Sequence, residues 1–294
     1  MSKQDDHLFF AGIPSPEPQR RPVGLREAAV AAPSSVHDAF AASEFYGWVL
    51  LQAGLDVRQY RQRSLLRRLP ACLRFLRVRT IDEARAALQR QPALMQPAVS
   101  TLLLGVTAFC RDRVVFDFLQ SQVLPDILTR EASPRIWSAA CSNGEELLSV
   151  AILLAEANRL HDVYLLGTDC RADAIQRAQA ARYPAESLKG LNRVWQERYF
   201  SPEQDQFAAK SLLREAIEWR VANLFTRTEA GPWHLILWRN MSIYLNPAAA
   251  NLIWTNLDEQ LHPGGYVVVG KADHPPPGLK WRRVASAVYR KPEA

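Results

Sequence analysis

Residues 135–146 read RIWSAACSNGEE. Ile136 and Trp137 open as a short apolar strand, and the residues after them, Ser138 to Ser142, are all small. Asn143-Gly144 then leads into two carboxylates, Glu145 and Glu146, with the apolar segment LLSVAILLAEA directly behind them. A strand, a tight small-residue turn and a helix start form the geometry that cradles a nucleotide-like cofactor at the edge of a parallel sheet. A plainer pattern fits the same residues. Ser142 and Glu145 stand three apart, the spacing of a capping box. Either way a helix is predicted from Glu145 to Asn158.

Downstream, strand and helix signals alternate. Val163 to Gly167 reads as a strand, Arg171 to Ala181 as a helix, and Trp233 to Trp238 as a strand. Pro247 to Leu261 reads as a helix, Gly265 to Gly270 as a buried strand, and Val284 to Tyr289 as a last strand. Such alternation predicts an α/β domain over 129–294 with a mostly parallel sheet. The interval 188–220 breaks the rhythm and reads as an insertion.

Upstream the period is helical. Ala39, Phe40, Phe45, Tyr46, Val49 and Leu50 recur at helix spacing, Thr80 and Glu83 make another capping box, and a further helix should cover Leu94 to Leu104. An all-helical domain is therefore expected over 36–128. Its middle is strongly basic: Arg58, Arg61, Arg63, Arg67, Arg68, Arg74, Arg77 and Arg79 occur with no acid between Val57 and Ile81. Leu65, Leu66, Leu69, Leu73 and Leu76 supply an apolar face, so the arginines belong mainly to the opposite one, a docking surface for something acidic. Pro70 should break or restart the helix. Residues 1–35 hold Pro14, Pro16, Pro18, Pro22 and Pro33 among Ala, Ser and charged residues, the composition of a flexible tail.

The chain has 294 residues, 48% apolar and 22% charged, with a formal charge of +6. That is a soluble globular profile, and the charge asks for an acidic partner. The most apolar stretch, Leu147 to Ala155, is shorter than the roughly 18 residues a membrane span needs, and the N-terminus carries no apolar signal core. A cytoplasmic location without membrane insertion is expected. Cys72, Cys110, Cys141 and Cys170 lie far apart, and neither they nor the six histidines show metal-ligand spacing. No metal is expected.

Strand ends in an open α/β sheet point into the ligand crevice. Besides the 142–146 turn, an apolar strand ends at Gly167-Thr168-Asp169, where a carboxylate can accept from two ribose hydroxyls or can cap the next helix. Asn223-Leu224-Phe225 offers an amide beside apolar residues, suited to an adenine. The segment LILWRNMSIYL, 235–245, delivers Arg239, Asn240 and Tyr244 directly after a buried strand.

Together these segments resemble the chemotaxis receptor methyltransferases, the CheR family. The family's C-S-T-G-E-E turn stands here as Cys141-Ser142-Asn143-Gly144-Glu145-Glu146, its T-D as Thr168-Asp169, and its N-L as Asn223-Leu224. Its R-N-V-x-I-Y-F stands as Arg239 to Leu245, its L-x-P-G-G-Y as Leu261 to Tyr266, and its N-x-T-x-F-F-R-D as Gly105 to Asp112. The resemblance spans roughly residues 40–290 in order. It implies a Rossmann-like S-adenosylmethionine-dependent methyltransferase with an N-terminal helical domain and a small inserted β-subdomain at 188–220. It implies methyl-ester formation on glutamate side chains of chemoreceptor-like or pilus-type receptors, leaving S-adenosylhomocysteine. Thr107 and Arg111 are then expected at the methionine part of the cofactor, Glu145 or Glu146 at its amino group, and Asp169 at the ribose. Ala140, Ser142 and Gly144 belong to the turn beneath the cofactor, and Asn223, Leu224, Arg239 and Asn240 to its adenosine pocket. Tyr244 and Arg111 are the expected catalytic pair, with Tyr244 orienting the substrate carboxylate. Arg58, Arg61, Arg63, Arg67 and Arg68 are expected to meet the receptor.

Gly105, Cys110, Asn143, Leu147-Leu148 and Lys271-Ala272-Asp273 depart from the family pattern. A second reading follows from them: a protein that binds receptor and S-adenosylhomocysteine without turnover. A nucleic-acid methyltransferase is disfavoured, because the chain has no Asp/Asn-Pro-Pro-aromatic segment and no Pro-Cys pair.

Overall fold

A computed structural model describes residues 36–103, 105 and 107–293, with side chains from residue 40 onward. The tail expected over 1–35 lies outside the described residues.

The described residues open with five α-helices: Val36–Gln52, Gln62–Leu66, Leu69–Leu76, Ile81–Arg90 and Met95–Leu102. The first buries Ala42, Phe45, Tyr46, Val49 and Leu50 completely, one face at 3.6-residue spacing. Each large side chain so buried contributes about 1.5–3 kcal/mol. The Thr80–Glu83 capping box forms in both directions. Pro70 sits in the first turn of Leu69–Leu76, where its missing N–H costs nothing, so it restarts the helix. Two more helices, Arg113–Phe118 and Leu124–Arg130, carry the helical run two residues past its expected end.

The α/β part is a seven-stranded sheet. Its strands are β1 (Arg135–Ala139), β2 (Tyr164–Asp169), β6 (Ile217–Val221), β7 (Trp233–Trp238), β8 (Leu261–Val269), β9 (Arg282–Ala285) and β10 (Val288–Arg290), in spatial order β6-β2-β1-β7-β8-β10-β9. The first five pair in parallel, and β10 alone runs reversed, antiparallel to both β8 and β9. All six residues of β7 are buried, as expected of a strand covered on both faces. Helices Glu145–Glu156, Ala172–Ala180 and Pro247–Gln260 follow β1, β2 and β7. Strand order reverses beside β1, so the carboxyl ends of β1 and β7 border a crevice.

Three expectations are corrected. Val284 to Tyr289 is a hairpin, β9 and β10 turning through Ala287 at φ 62°. The insertion is a three-stranded sheet of β3 (Arg182–Pro184), β4 (Phe200–Glu203) and β5 (Gln206–Ala209), so it starts before 188. Residues 217–221 belong instead to the main sheet, because β6 pairs in parallel along β2.

Tertiary structure also gathers histidines that are far apart in sequence. Glu131, His234 and His262 place ligand atoms within 4.8 Å of one another at the amino end of the sheet. His234 Nδ1 accepts the Arg135 main-chain N–H at 3.0 Å. Its proton therefore sits on Nε2, facing Glu131 at 3.5 Å, which suits packing rather than metal ligation. Burial also pushes the His234 pKa down, toward the neutral ring.

Candidate active site

A cavity of about 330 Å³ opens at the carboxyl ends of β1, β2 and β7. Its floor is the turn after β1. Ala140 and Ser142 both hold positive φ, 62° and 55°, and Gly144 lies at φ 92°. The expected Ser142–Glu145 capping box does not form. Gly144 is the N-cap, with no side-chain cap, and Ser142 Oγ instead donates to the Gly105 carbonyl at 3.1 Å. The left-handed backbone at Ser142 aims its hydroxyl across the cavity mouth rather than back along the helix.

Ala140, Ser142, Glu146, Asp169, Arg239, Asn240, Tyr244, Thr107 and Arg111 all line the cavity. Four other expected cofactor contacts do not. Gly144 packs where a Cβ would meet the Trp219 ring at 2.7 Å. Glu145 is 3% exposed and lies behind the turn. Asn223 turns its side chain to the Gly54 carbonyl and the Phe225 N–H, carrying Leu224 with it. Asn143 and Leu147-Leu148, departures that bore on the floor, also lie off the lining. Asn143 holds Arg177 Nε and the Tyr183 hydroxyl, and both leucines are core.

Buried ion pairs set the walls. Arg239 Nη1 reaches Glu146 at 3.1 Å, and its Nη2 reaches Asp112 at 2.7 Å and the Arg111 carbonyl at 2.9 Å. Lys271 adds a second cation to Asp112 at 3.0 Å. Burial raises the Asp112 carboxyl, but the Lys271 hydrogen bond and the nearby arginine charges bring it net below its ordinary value. Ser138 Oγ holds the other Glu146 oxygen at 2.9 Å.

Asp169 does not cap the following helix, which begins at Ala172. Its carboxylate accepts the Ser142 N–H at 2.9 Å and the Arg171 N–H at 3.0 Å, and it pairs with the Arg171 guanidinium.

Asn240 stands at φ 57°, with its N–H and that of Gly270 both donating to buried Asp273 and Ser242 Oγ donating to the same carboxylate. The Lys271–Asp273 segment, odd in sequence, thus builds the wall behind Asn240.

The helical domain closes the cavity. Tyr60 lines it and pairs with Leu245, and the Arg61 N–H donates to the Tyr244 carbonyl at 2.8 Å. Part of the basic run is thereby engaged within the fold. Arg61 Nε is engaged by the Leu245 carbonyl, Arg58 pairs with Asp56 just outside the acid-free run, and Arg68 is half-buried. Arg63 and Arg67 are exposed. Sequence reasoning did not single out Tyr60 or Arg171, and it named Asp273 only as a departure from the family pattern. A Tyr after a basic 3₁₀ turn carries no local sign of a pocket.

Glu145 responds to pH. Burial pushes its carboxyl up to about 7, against its main-chain amide and the Thr107 hydroxyl. A folded pKa above the unfolded one stabilises at low pH, and that contribution is lost as pH rises through about 7. Glu145→Gln should therefore be more stable than wild type at about pH 8, by up to roughly 3 kcal/mol, and gain little at about pH 5. Urea midpoints at both pH values check this; an equal offset at each would contradict it.

The donor set fits one cofactor class. Arg111 brings a cation to the lining, and Glu146 and Asp169 bring carboxylates. Leu102, Leu103 and Met241 provide apolar wall for a base. An open parallel sheet with this crevice is a Rossmann-like fold, and these side chains suit S-adenosylmethionine.

Residues 105–286 match the family described as CheR methyltransferase, SAM binding domain. The chain belongs to that family. It is 28% identical over 221 residues to a chemotaxis protein methyltransferase of Listeria innocua, covering 75% of this chain and 84% of the relative. It is 29% identical over 229 residues to chemotaxis protein methyltransferase 2 of Pseudomonas aeruginosa, covering 75% and 81%. No helix among the described residues is long and apolar enough to cross a membrane.

Proposed function

We propose that the chain methylates glutamate side chains of a chemoreceptor-like signalling protein in the cytoplasm, forming methyl esters. The observation that supports this best is the cavity lining, which brings Arg111 and Tyr244 together and, among the described residues, includes no histidine and no carboxylate without an arginine partner that could serve as base toward a neutral nucleophile. A glutamate carboxylate, with a reference pKa near 4.3, is already an anionic nucleophile at neutral pH. Bound S-adenosylmethionine supplies a methyl group on a sulfonium. Asp169 accepts the ribose hydroxyls, Glu146 the amino group, and Arg111 pairs with the carboxylate of the methionine portion. Tyr244 donates to the incoming glutamate, held in place by the Arg61 N–H on its carbonyl. Proximity and exclusion of water then carry the acceleration. Exposed Arg63 and Arg67 suit the acidic methylation region of a receptor.

Calorimetry should show saturable S-adenosylmethionine and S-adenosylhomocysteine binding, and a receptor cytoplasmic fragment should gain base-labile methyl label. Cofactor binding without base-labile label on any receptor fragment would favour the binder without turnover. Label stable to base would reject ester chemistry.

A further inference from the structure

Arg171 is 6% exposed and lies along the cavity wall. Asp169 has about four lone-pair sites on its two oxygens. Two accept main-chain N–H groups, from Ser142 at 2.9 Å and Arg171 at 3.0 Å. The other two accept the Arg171 fork, Nε at 3.0 Å on Oδ1 and Nη2 at 3.2 Å on Oδ2. A ribose diol also donates two hydrogen bonds, so fork and diol compete for the same two sites. The guanidinium is steadied by Ser142 Oγ at 3.1 Å and the Leu103 carbonyl at 3.3 Å. Its room comes from Gly105: a Cβ there would stand 2.5 Å from both Arg171 Nη2 and Ser142 Oγ. The glycine that departs from the family pattern is therefore the space this arginine uses.

We propose that Arg171 is a latch on the cofactor pocket, a positioning residue whose guanidinium leaves Asp169 when the ribose of an adenosyl ligand binds, and which thereby sets cofactor affinity. This rests on Asp169 as the ribose acceptor. Arg171 holds the Asp169 carboxylate aimed in the ligand-free protein. Its displacement is subtracted from the binding energy of every adenosyl ligand.

The test measures S-adenosylhomocysteine and its 2′-deoxy analogue by calorimetry, on wild type, Arg171→Ala and Arg171→Lys. Arg171→Ala should bind S-adenosylhomocysteine about tenfold more tightly while the ligand-free protein unfolds at lower urea. Arg171→Lys, which keeps the charge without the fork, should fall between. The gain should shrink for the deoxy analogue. Binding that weakens or stays unchanged in Arg171→Ala, with the deoxy penalty intact in wild type, overturns the latch alone. No deoxy penalty in any protein overturns the Asp169 assignment beneath it. Arginine-detected NMR on wild type, assigned with Arg171→Lys, is independent of how the alanine variant folds. The Arg171 Nε–H should exchange slowly without ligand and fast when saturated with S-adenosylhomocysteine. Retained protection in the saturated complex would reject the latch.

Discussion

Arg239→Ala should lower unfolding free energy by about 3 to 5 kcal/mol, the cost of removing one partner from a buried ion pair. The side chain is 3% exposed and serves two carboxylates, Glu146 and Asp112, from separate segments. It also lies over the Phe116 ring at 5.6 Å and caps the Arg111 carbonyl. Alanine removes the cation paired with Glu146, while Asp112 keeps Lys271. Urea titration at neutral pH measures the loss. A midpoint equal to wild type at neutral pH would show that the network contributes nothing. Cofactor affinity should fall as well, because Arg239 fixes Glu146 on one wall and the Arg111 backbone on the other.

Asp273→Ala should cost about 3 kcal/mol of stability and at least about tenfold in S-adenosylhomocysteine affinity, from the loss of an acceptor for three donors. Those donors are the N–H groups of Asn240 and Gly270 and the Ser242 hydroxyl, around a carboxylate that is 1% exposed. Asn240 is held at φ 57°, a conformation a non-glycine residue keeps only when its surroundings impose it. Released, Asn240, Met241 and Tyr244 shift together, since one turn carries them all into the cavity. Asp273→Asn keeps one acceptor and should lose less. Calorimetry well below the unfolding temperature separates this from instability. Unchanged affinity in a destabilised Asp273→Ala protein would show that the wall needs no such anchor.

Most of the α/β architecture was legible in the chain. Buried parallel strands announce themselves as apolar runs, and all six residues of Trp233–Trp238 are indeed buried. The strand, small-residue turn and helix of 135–156 form where the local pattern suggests, while Ser142 keeps its left-handed backbone with outside help, its N–H donating to Asp169 and its hydroxyl to the Gly105 carbonyl. The capping box of Ile81–Arg90 forms locally, both partners lying within one turn. The Ser142–Glu145 pair had the same spacing and did not form, since Ser142 found a stronger tertiary partner in the Gly105 carbonyl.

Near neighbours therefore set most of the strands and helices, the place of the turn after β1, and which polar residues sit at strand ends, and the chain alone shows these. Only the tertiary structure decided which of those polar residues face the cavity. Asn223 and Glu145 turn away from it, while Tyr60 and Arg171, unremarkable in their own segments, turn in. The physical reason is that a buried charge or donor takes whichever partner folding brings within about 3 Å. For Asp169 that partner is two residues away, for Arg239 it lies on two distant segments, and for Gly105 it is the arginine that fills the space a side chain would need.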